Sequence, residues 1–287
     1  MEPEIDRLWN YSEPAESEQR FRAALERAVA GDTQRALELL TQMARAQGLQ
    51  GRFDEADRTL DEVEARRDEA SARVRIRLLL ERGRVRRSSG RPEEAKPLFL
   101  RAWEEAVAAG EDCLAVDAAH MLGIVEPSAE GMAWNRRALD LAEASADPRV
   151  REWRGALLNN MAWTLHDDGD FAGALELFER ALRFRLDQGL PEPVRIARWS
   201  VARCLRSLER VEEAFALQKE LLAEGQAAGR TDPYVLEEMG ECLLALGQAE
   251  EARPWLGRAY AELSQDAWLR ASDPGRLDRL KRLGEGG

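Results

Sequence analysis

Histidine and cysteine, the side chains that most often bind metals or act as nucleophiles, are scarce in this sequence. The two histidines, His120 and His166, are far apart, and the three cysteines, Cys113, Cys204 and Cys242, form no CxxC pair. A zinc site needs three or four such ligands close together. We therefore expect hydrogen-bonded or solvated histidines, free thiols, and neither a metal nor another cofactor.

Sequence motifs of common enzyme classes are missing as well. There is no glycine-rich phosphate loop ending in Lys-Ser or Lys-Thr, no HExxH and no GxSxG. Carboxylate pairs such as Glu237–Glu238 occur, but 33% of the residues are charged, so these pairs indicate solvated helix faces. The sequence predicts a protein that is not an enzyme.

Charge and hydropathy narrow the range of partners. The net charge of −12 argues against nucleic acid and anionic membranes, which attract basic surfaces. No stretch approaches the ~18 apolar residues of a membrane span, and the acidic N-terminus does not resemble a secretory signal. We expect a cytoplasmic protein. Arginine makes up 39 of the 42 basic residues, which indicates the GC-rich codon usage of some bacteria.

Arginine is concentrated in two segments despite the acidic composition. Residues 73–91 contain eight arginines and one glutamate, and residues 195–210 contain five arginines and one glutamate. Arginine and tryptophan often dominate binding energy in protein interfaces, and the guanidinium fork suits carboxylates or phosphates. The alternative is that the 54 acidic residues of the chain neutralise these arginines. Both interpretations remain open from the sequence.

The elements that must position these side chains are helices arranged in a repeat. Ala, Leu, Glu and Arg dominate the composition, and they are strong helix formers. A small residue recurs at successive spacings of 39, 40, 39, 40 and 38 residues, where it would let a neighbouring helix approach the backbone closely. The six small residues are Ala44, Gly83, Gly123, Ala162, Ala202 and Gly240.

This pattern resembles the tetratricopeptide repeat (TPR). The fourth repeat carries the resemblance best, through Leu158, Met161, Ala162, Leu165, Ala174, Phe178 and Ala181. The period exceeds the basic 34 residues, as in the long-helix variants of kinesin light chains and bacterial regulatory TPR arrays. The family's closing proline is absent, and Asn135 replaces the helix-opening alanine of the third repeat.

The resemblance implies an all-α fold, a right-handed α-solenoid of six TPR-like helix pairs with terminal capping helices. We expect an N-terminal tail over residues 1–16, a capping helix near 17–30, and one solenoid domain over residues 17–287. The repeats are predicted near residues 33–69, 72–109, 112–146, 149–187, 191–228 and 231–264, followed by a C-terminal cap over 266–284.

In this family, one face of the first helix of each repeat lines a concave groove where ligands dock. Carried onto this sequence, that face is a stripe formed by the residues three before, one after and four after each small residue. The stripe is basic and aromatic in the middle and acidic in the sixth repeat, at Glu237 and Glu241. Trp163 and Trp199 could instead be wedges between repeats. The predicted partner-binding residues are Arg84, Arg87, His120, Asn159, Trp163, His166, Trp199, Arg203 and Arg206.

The function that the resemblance implies is a scaffold or adaptor that binds a peptide or a partner segment in the groove. The arginines favour an acidic or carboxylate-bearing ligand. The alternative is a peptide-sensing regulatory protein. Such a sensor would act on another chain, since a 16-residue tail is too short for a DNA-binding helix-turn-helix.

Overall fold

The structure of this protein is a computed structural model that describes residues 5–28 and 32–286, apart from the side chains of residues 267–268. The chain divides into two compact units, unit 1 (Met1–Leu157) and unit 2 (Leu158–Gly287). Within the described ranges, every regular element is helical and no residue is in a β-strand. The all-α prediction is confirmed.

Unit 1 is built from consecutive helices joined by short turns. They are α1 (Pro14–Ala28), α2 (Thr33–Leu49), α3 (Phe53–Glu64), α4 (Ala72–Ser88), α5 (Pro92–Ala109), α6 (Asp112–Val125), α7 (Ser128–Ala144) and the single turn α8 (Pro148–Arg151). Short 3-10 helices span Asp6–Leu8 and Arg67–Glu69. Helix α6 ends at Val125, and Pro127 is the N-cap residue of α7.

Helix α9 (Trp153–Asp167) begins in unit 1 and continues into unit 2. The remaining helices are α10 (Phe171–Gln188), α11 (Pro191–Ser207), α12 (Val211–Ala227), α13 (Pro233–Ala245), α14 (Ala249–Leu263), α15 (Ala267–Ser272) and α16 (Pro274–Glu285). Each of the six predicted repeats contains one helix pair, namely α2–α3, α4–α5, α6–α7, α9–α10, α11–α12 and α13–α14. Helix α10 ends at Gln188, one residue beyond the predicted bound of its repeat.

The small residue of each repeat lies where a second-helix side chain presses onto the first helix. A Cβ atom added to Gly83 would lie 2.4 Å from the Phe99 ring, and one added to Gly240 would lie 2.5 Å from Leu256. Neither site has room for a methyl group. Ala162 has no exposed surface. The predicted repeat register is therefore confirmed, and it places the stripe residues on a neighbouring face of each first helix.

In five of the six repeats the turn between the paired helices contains a left-handed residue, whereas the third repeat has Glu126 and Pro127 there, both with negative φ. Glycine occupies this place in most repeats, for example Gly169 with φ 84°. In the fifth repeat Glu209 takes the same conformation, with φ 60°, and it is the one non-glycine residue with positive φ among the described residues. A side chain with a Cβ in this region costs about 1–2 kcal/mol.

The prediction of a tail over residues 1–16 is wrong from residue 5 onward. Helix α1 begins at Pro14, Ile5 is buried, and the Trp9 ring packs edge-on against Phe21 at 5.0 Å. The apolar side chains of this segment pack against the first helices. Residues 1–4, like residues 29–30 of the predicted capping helix, lie outside the described residues. That residues 17–287 form one uninterrupted solenoid stays a prediction.

Candidate functional site

Arg84 of α4 lies in an ion-pair network inside unit 1. Its Nη1 donates to Glu81 Oε1 at 2.7 Å and its Nη2 donates to Asp117 Oδ1 at 2.5 Å. Both carboxylates are buried. Burial alone would lower the pKa of Arg84, but the charges of Asp117 and Glu81 outweigh it and raise the pKa. Its positive charge is already compensated by the protein's own carboxylates.

Arg87 and His120 complete the predicted residues of unit 1. The Arg87 side chain is exposed and makes no hydrogen bond or ion pair with any residue that the structure describes, while its backbone carbonyl accepts a hydrogen bond from Gly90 N–H. The His120 ring lies 5.3 Å from that of Trp153, at the start of α9. Burial lowers the pKa of His120, and although Asp117 raises it, the positive charges of Arg84 and Arg87 lower it further. Arg87 is therefore the accessible cation of this group.

The other six predicted residues lie on α9 and α11 in unit 2. The Trp163 and Trp199 ring centroids are 6.0 Å apart, and Trp163 also packs edge-on against Phe178 at 4.9 Å. Asn159 Oδ1 accepts a long hydrogen bond of 3.5 Å from Ser200 Oγ. Stripe residues from two successive first helices thus come together as the register predicts.

Trp163, Trp199, Arg203 and Arg206 line a cleft of about 480 Å³ in unit 2. Ligand pockets commonly measure ~300–1,000 Å³. The remaining lining residues come from α13 and α16, and they are Glu237, Glu238, Glu241, Arg276 and Arg279.

Arginine and glutamate alternate within the cleft and form pairs. Arg276 donates to Glu237 at 2.8 and 2.5 Å, and Arg279 donates two hydrogen bonds to Glu241. The acidic end predicted from the sixth repeat is thereby neutralised by the last helix. The predicted cation Arg206 is also paired, as described next, so the cleft has fewer free charges than the sequence indicates.

Glu238 is shared by two arginines. Its carboxylate accepts hydrogen bonds of 2.8 and 2.9 Å from Arg206, while Arg203 Nε lies 3.2 Å from Oε1. The Glu238 side chain is 5% exposed. Four arginines thus face three glutamates in this cleft, which leaves one positive charge in excess. The excess positive charge resides at Arg203, because Arg206 binds the Glu238 carboxylate through both Nε and Nη2.

The pKa values of the two arginines reflect this unequal sharing. Burial lowers the pKa of Arg203, and repulsion by Arg206 adds to the decrease, so that the attraction of Glu238 does not restore it. For Arg206, burial is outweighed by the hydrogen bonds to Glu238, and its pKa is raised. Arg203 is therefore a partly buried cation with incomplete compensation, and an anionic group in the cleft would stabilise it.

His166 is connected to Arg203 through a hydroxyl group. Arg203 Nη1 donates to Ser207 Oγ at 2.6 Å, and His166 Nε2 lies 2.9 Å from the same oxygen. Burial lowers the pKa of His166, and the charge of Arg203 lowers it further. A neutral His166 that accepts the Ser207 proton fits these distances, since the guanidinium can only donate. His166 thus positions Arg203 and does not supply a second cation.

The sequence interpretation missed Arg276 and Arg279, because α16 was taken only as a cover for the last repeat. Their spacing of three residues places both on one side of α16. Their charge is opposite to that of Glu237 and Glu241, which lie one helical turn apart on α13. This match of charge and helical spacing was the signal in the sequence that could have indicated the pairs.

The described part of the chain shows neither a metal site nor a membrane span. It contains no cluster of three or more His, Cys, Asp or Glu residues placed to hold a metal ion. None of its helices combines the length and hydropathy needed to cross a bilayer.

Comparison with known proteins gives matches to one repeat family. Family models of the tetratricopeptide repeat match residues 157–192 and, in a second version, residues 37–62 and 233–258. No curated protein sequence matches this chain significantly.

Several solved structures have a similar fold at low sequence identity. The apo form of RapI superposes with a TM-score of 0.73 at 12% identity, over 98% of this chain and 80% of RapI. A signal transduction ATPase with a tetratricopeptide repeat sensor, from Pyrococcus horikoshii, superposes with a TM-score of 0.69 at 15% identity. The match covers 94% of this chain but only 42% of the length of the ATPase. NprR in complex with its cognate peptide NprX gives 0.57 at 14% identity, over 98% and 81% of the two chains.

Proposed function

We propose that this chain, which is a tetratricopeptide-repeat protein, binds a peptide or a partner segment in the cleft of unit 2 and has no catalytic role. The observation that carries the proposal is the excess positive charge at Arg203, placed beside Trp163 and Trp199. Repeat folds of this kind support a protein-interaction role, whereas the chemistry of the ligand has to be argued from the cleft itself.

The cleft favours a carboxylate group on the ligand. Arg203 has to share Glu238 with Arg206 and is partly buried. A ligand carboxylate would compensate this cation with charge-assisted hydrogen bonds, which are about twice as strong as neutral ones. An acidic side chain or a C-terminal carboxylate supplies that group.

The two indole rings beside Arg203 favour a neighbouring apolar side chain. Trp163 and Trp199 are half-buried, so each keeps accessible ring surface next to the cation. Aromatic rings provide large apolar contact with few rotamers to fix on binding. Asn159, close by on α9, has an amide that can bond to the backbone of an extended peptide. The proposed ligand is therefore a segment with a carboxylate next to an apolar side chain.

The other predicted residues have supporting parts in this proposal. Arg206 holds Glu238, and His166 holds Ser207, so both fix the geometry around Arg203. On unit 1, Arg87 and His120 offer a separate contact surface, of which Arg87 is the exposed cation, while Arg84 serves to hold buried carboxylates. We place the interaction in the cytoplasm, with neither nucleic acid nor membrane as partner.

A peptide-sensing regulatory role is the second candidate. NprR was solved with a bound peptide, and its fold is similar to that of this chain. A sensor has to change conformation when the peptide binds, whereas a scaffold does not. Amide hydrogen exchange of the protein with and without the captured ligand separates the two roles. Changes confined to α9, α11, α13 and α16 favour a scaffold, and changes spread over other helices favour a sensor.

Affinity capture from the native lysate tests the proposal. Wild type is compared with the double variant Trp163→Ala/Arg203→Ala, which removes one indole and the excess cation. The matched control is Arg198→Ala, because Arg198 lies on α11 as well but pairs with Glu220 and Glu224 of α12. We expect the double variant to lose partners that wild type and Arg198→Ala retain, with far-UV circular dichroism unchanged. A full set of partners on the folded double variant would refute the cleft as the working surface.

A further inference from the structure

The N-terminal segment, residues 5–13, lies against α2 and α4 of unit 1 through polar contacts. Trp9 Nε1 donates to Gln42 Oε1 at 3.1 Å, and Asp6 Oδ1 lies 3.5 Å from Arg77 Nη2. Arg77 is buried and also pairs with Glu38 at 2.9 Å. The segment therefore contacts side chains of both helices, and its carboxylate meets an arginine.

Aromatic rings of the segment contact an arginine of the stripe. Trp9 and Tyr11 stack in parallel, with centroids 4.7 Å apart and an interplanar angle of 4°. The Arg45 guanidinium carbon lies 5.5 Å from each ring centroid, within the range of a cation–π contact. Tyr11 is nonetheless 59% exposed. Its position is thus fixed by contacts with Trp9 and Arg45 rather than by burial.

Arg45 occupies the same place in its repeat as Arg203 does in the fifth. Each follows the small residue directly, Ala44 in one repeat and Ala202 in the other. This is the stripe of the first helix. The segment contacts Arg45 of this stripe with two aromatic faces. Beside the stripe, its indole N–H meets Gln42 and its carboxylate meets Arg77, and a bound peptide would use the same groups.

We propose that Gln42, Arg45 and Arg77 form a second peptide-binding surface, which the chain's own N-terminal segment occupies in this structure. The surface accepts a peptide with an acidic residue, tryptophan three residues later and a second aromatic residue two further on, as in Asp6, Trp9 and Tyr11. This site lies in unit 1 and shares no residue with the cleft of unit 2. It goes beyond the function proposed above and stands without it.

A segment tethered to its own site competes strongly with a free peptide. The effective concentration of a short tethered ligand is on the order of millimolar. A free peptide of the same sequence therefore binds poorly to the wild-type chain. Weakening the tethered segment opens the surface, and binding of the free peptide then reports on the site.

The test uses the full chain and a fluorescent synthetic peptide with the sequence of residues 5–13, followed by anisotropy. The double variant Trp9→Ala/Tyr11→Ala removes the two aromatic contacts of the tethered segment. We expect it to bind the peptide at least tenfold more tightly than wild type does. Adding Arg45→Gln to this variant abolishes the gain, and a peptide in which the tryptophan and tyrosine are replaced by alanine does not bind.

Three results would overturn the proposal. If the folded double variant does not bind the peptide, the segment is only a structural cap. If wild type and double variant bind it equally well, or Arg45→Gln changes nothing, the peptide binds elsewhere. Because Trp9 packs on Phe21, its loss could unfold α1, and circular dichroism checks this. The milder variant Asp6→Asn/Tyr11→Ala keeps Trp9, and it should bind the peptide at least threefold more tightly than wild type.

Discussion

Replacing Glu238 by glutamine tests the charge distribution of the cleft. The substitution keeps the size of the side chain and removes its charge. Arg203 and Arg206 then face each other without a shared anion, and glutamine can accept only part of the three contacts that the carboxylate makes at 2.8, 2.9 and 3.2 Å. We expect the folded state to be destabilised.

The magnitude follows from burial. Removing one partner of a buried ion pair costs about 3–5 kcal/mol. The Arg203 and Arg206 side chains are 26% and 19% exposed, so water offsets part of the loss and about 3 kcal/mol is expected. Glu241→Gln is the matched control. Glu241 lies on the same helix and is also buried, but its partner Arg279 is 46% exposed and can turn into solvent. This control should lose about 1 kcal/mol.

Urea unfolding near neutral pH, followed by far-UV circular dichroism, measures both losses. Tryptophan fluorescence serves as a second probe, because the two units can unfold in separate steps. A larger loss for Glu238→Gln than for Glu241→Gln supports the shared-anion geometry. Equal losses, or a larger loss for Glu241→Gln, would show that Arg203 and Arg206 do not depend on Glu238.

Three further predictions concern stability. Ala162→Leu places a bulky side chain at a fully buried helix contact and should cost about 1–3 kcal/mol; a thermal melt identical to wild type would contradict the repeat register. Glu209→Gly removes the Cβ atom from a position with left-handed backbone and should raise the free energy of unfolding by about 1 kcal/mol, which urea titration measures; a loss of stability would contradict this prediction. Folding lowers the pKa values of His120 and His166. Their contribution to the free energy of unfolding is therefore complete above about pH 6.5 and declines as the pH falls below it, because the unfolded chain binds protons first. His120→Gln/His166→Gln should flatten this decline in urea unfolding measured across that range, and an unchanged slope would refute the assignment.

The fold was predictable because its determinants are local and repeat along the chain. A small residue every 38–40 residues fixes where the second helix of each pair packs, and the contacts of Gly83 and Gly240 show that packing. Glycine or a left-handed substitute ends the first helix in five repeats, and Pro127 follows its end in the third. Such features need only neighbouring residues, so a single sequence shows them.

The state of each charge was not predictable, because ion pairs join residues far apart in sequence. Arg206 pairs with Glu238, 32 residues away, and Arg276 with Glu237, 39 residues away. The helical spacing placed Trp163 and Trp199 on one stripe, and their rings are adjacent in the structure. It could not show that buried carboxylates neutralise Arg84 and Arg206, whereas Arg203 shares the carboxylate of Glu238. The packing of Trp9 also depends on helices that follow it, and a tail interpretation could not reveal it.

The central claim is that Arg203 binds a ligand carboxylate without being needed for stability. Its most direct test is titration calorimetry with the captured partner segment as a synthetic peptide, against wild type and Arg203→Gln. Loss of a hydrogen bond to a charged group is worth ~1.5–3 kcal/mol, so the variant should bind at least tenfold more weakly. The free energy of unfolding should stay the same, since Glu238 keeps both hydrogen bonds from Arg206. Equal affinity for wild type and variant would contradict the account.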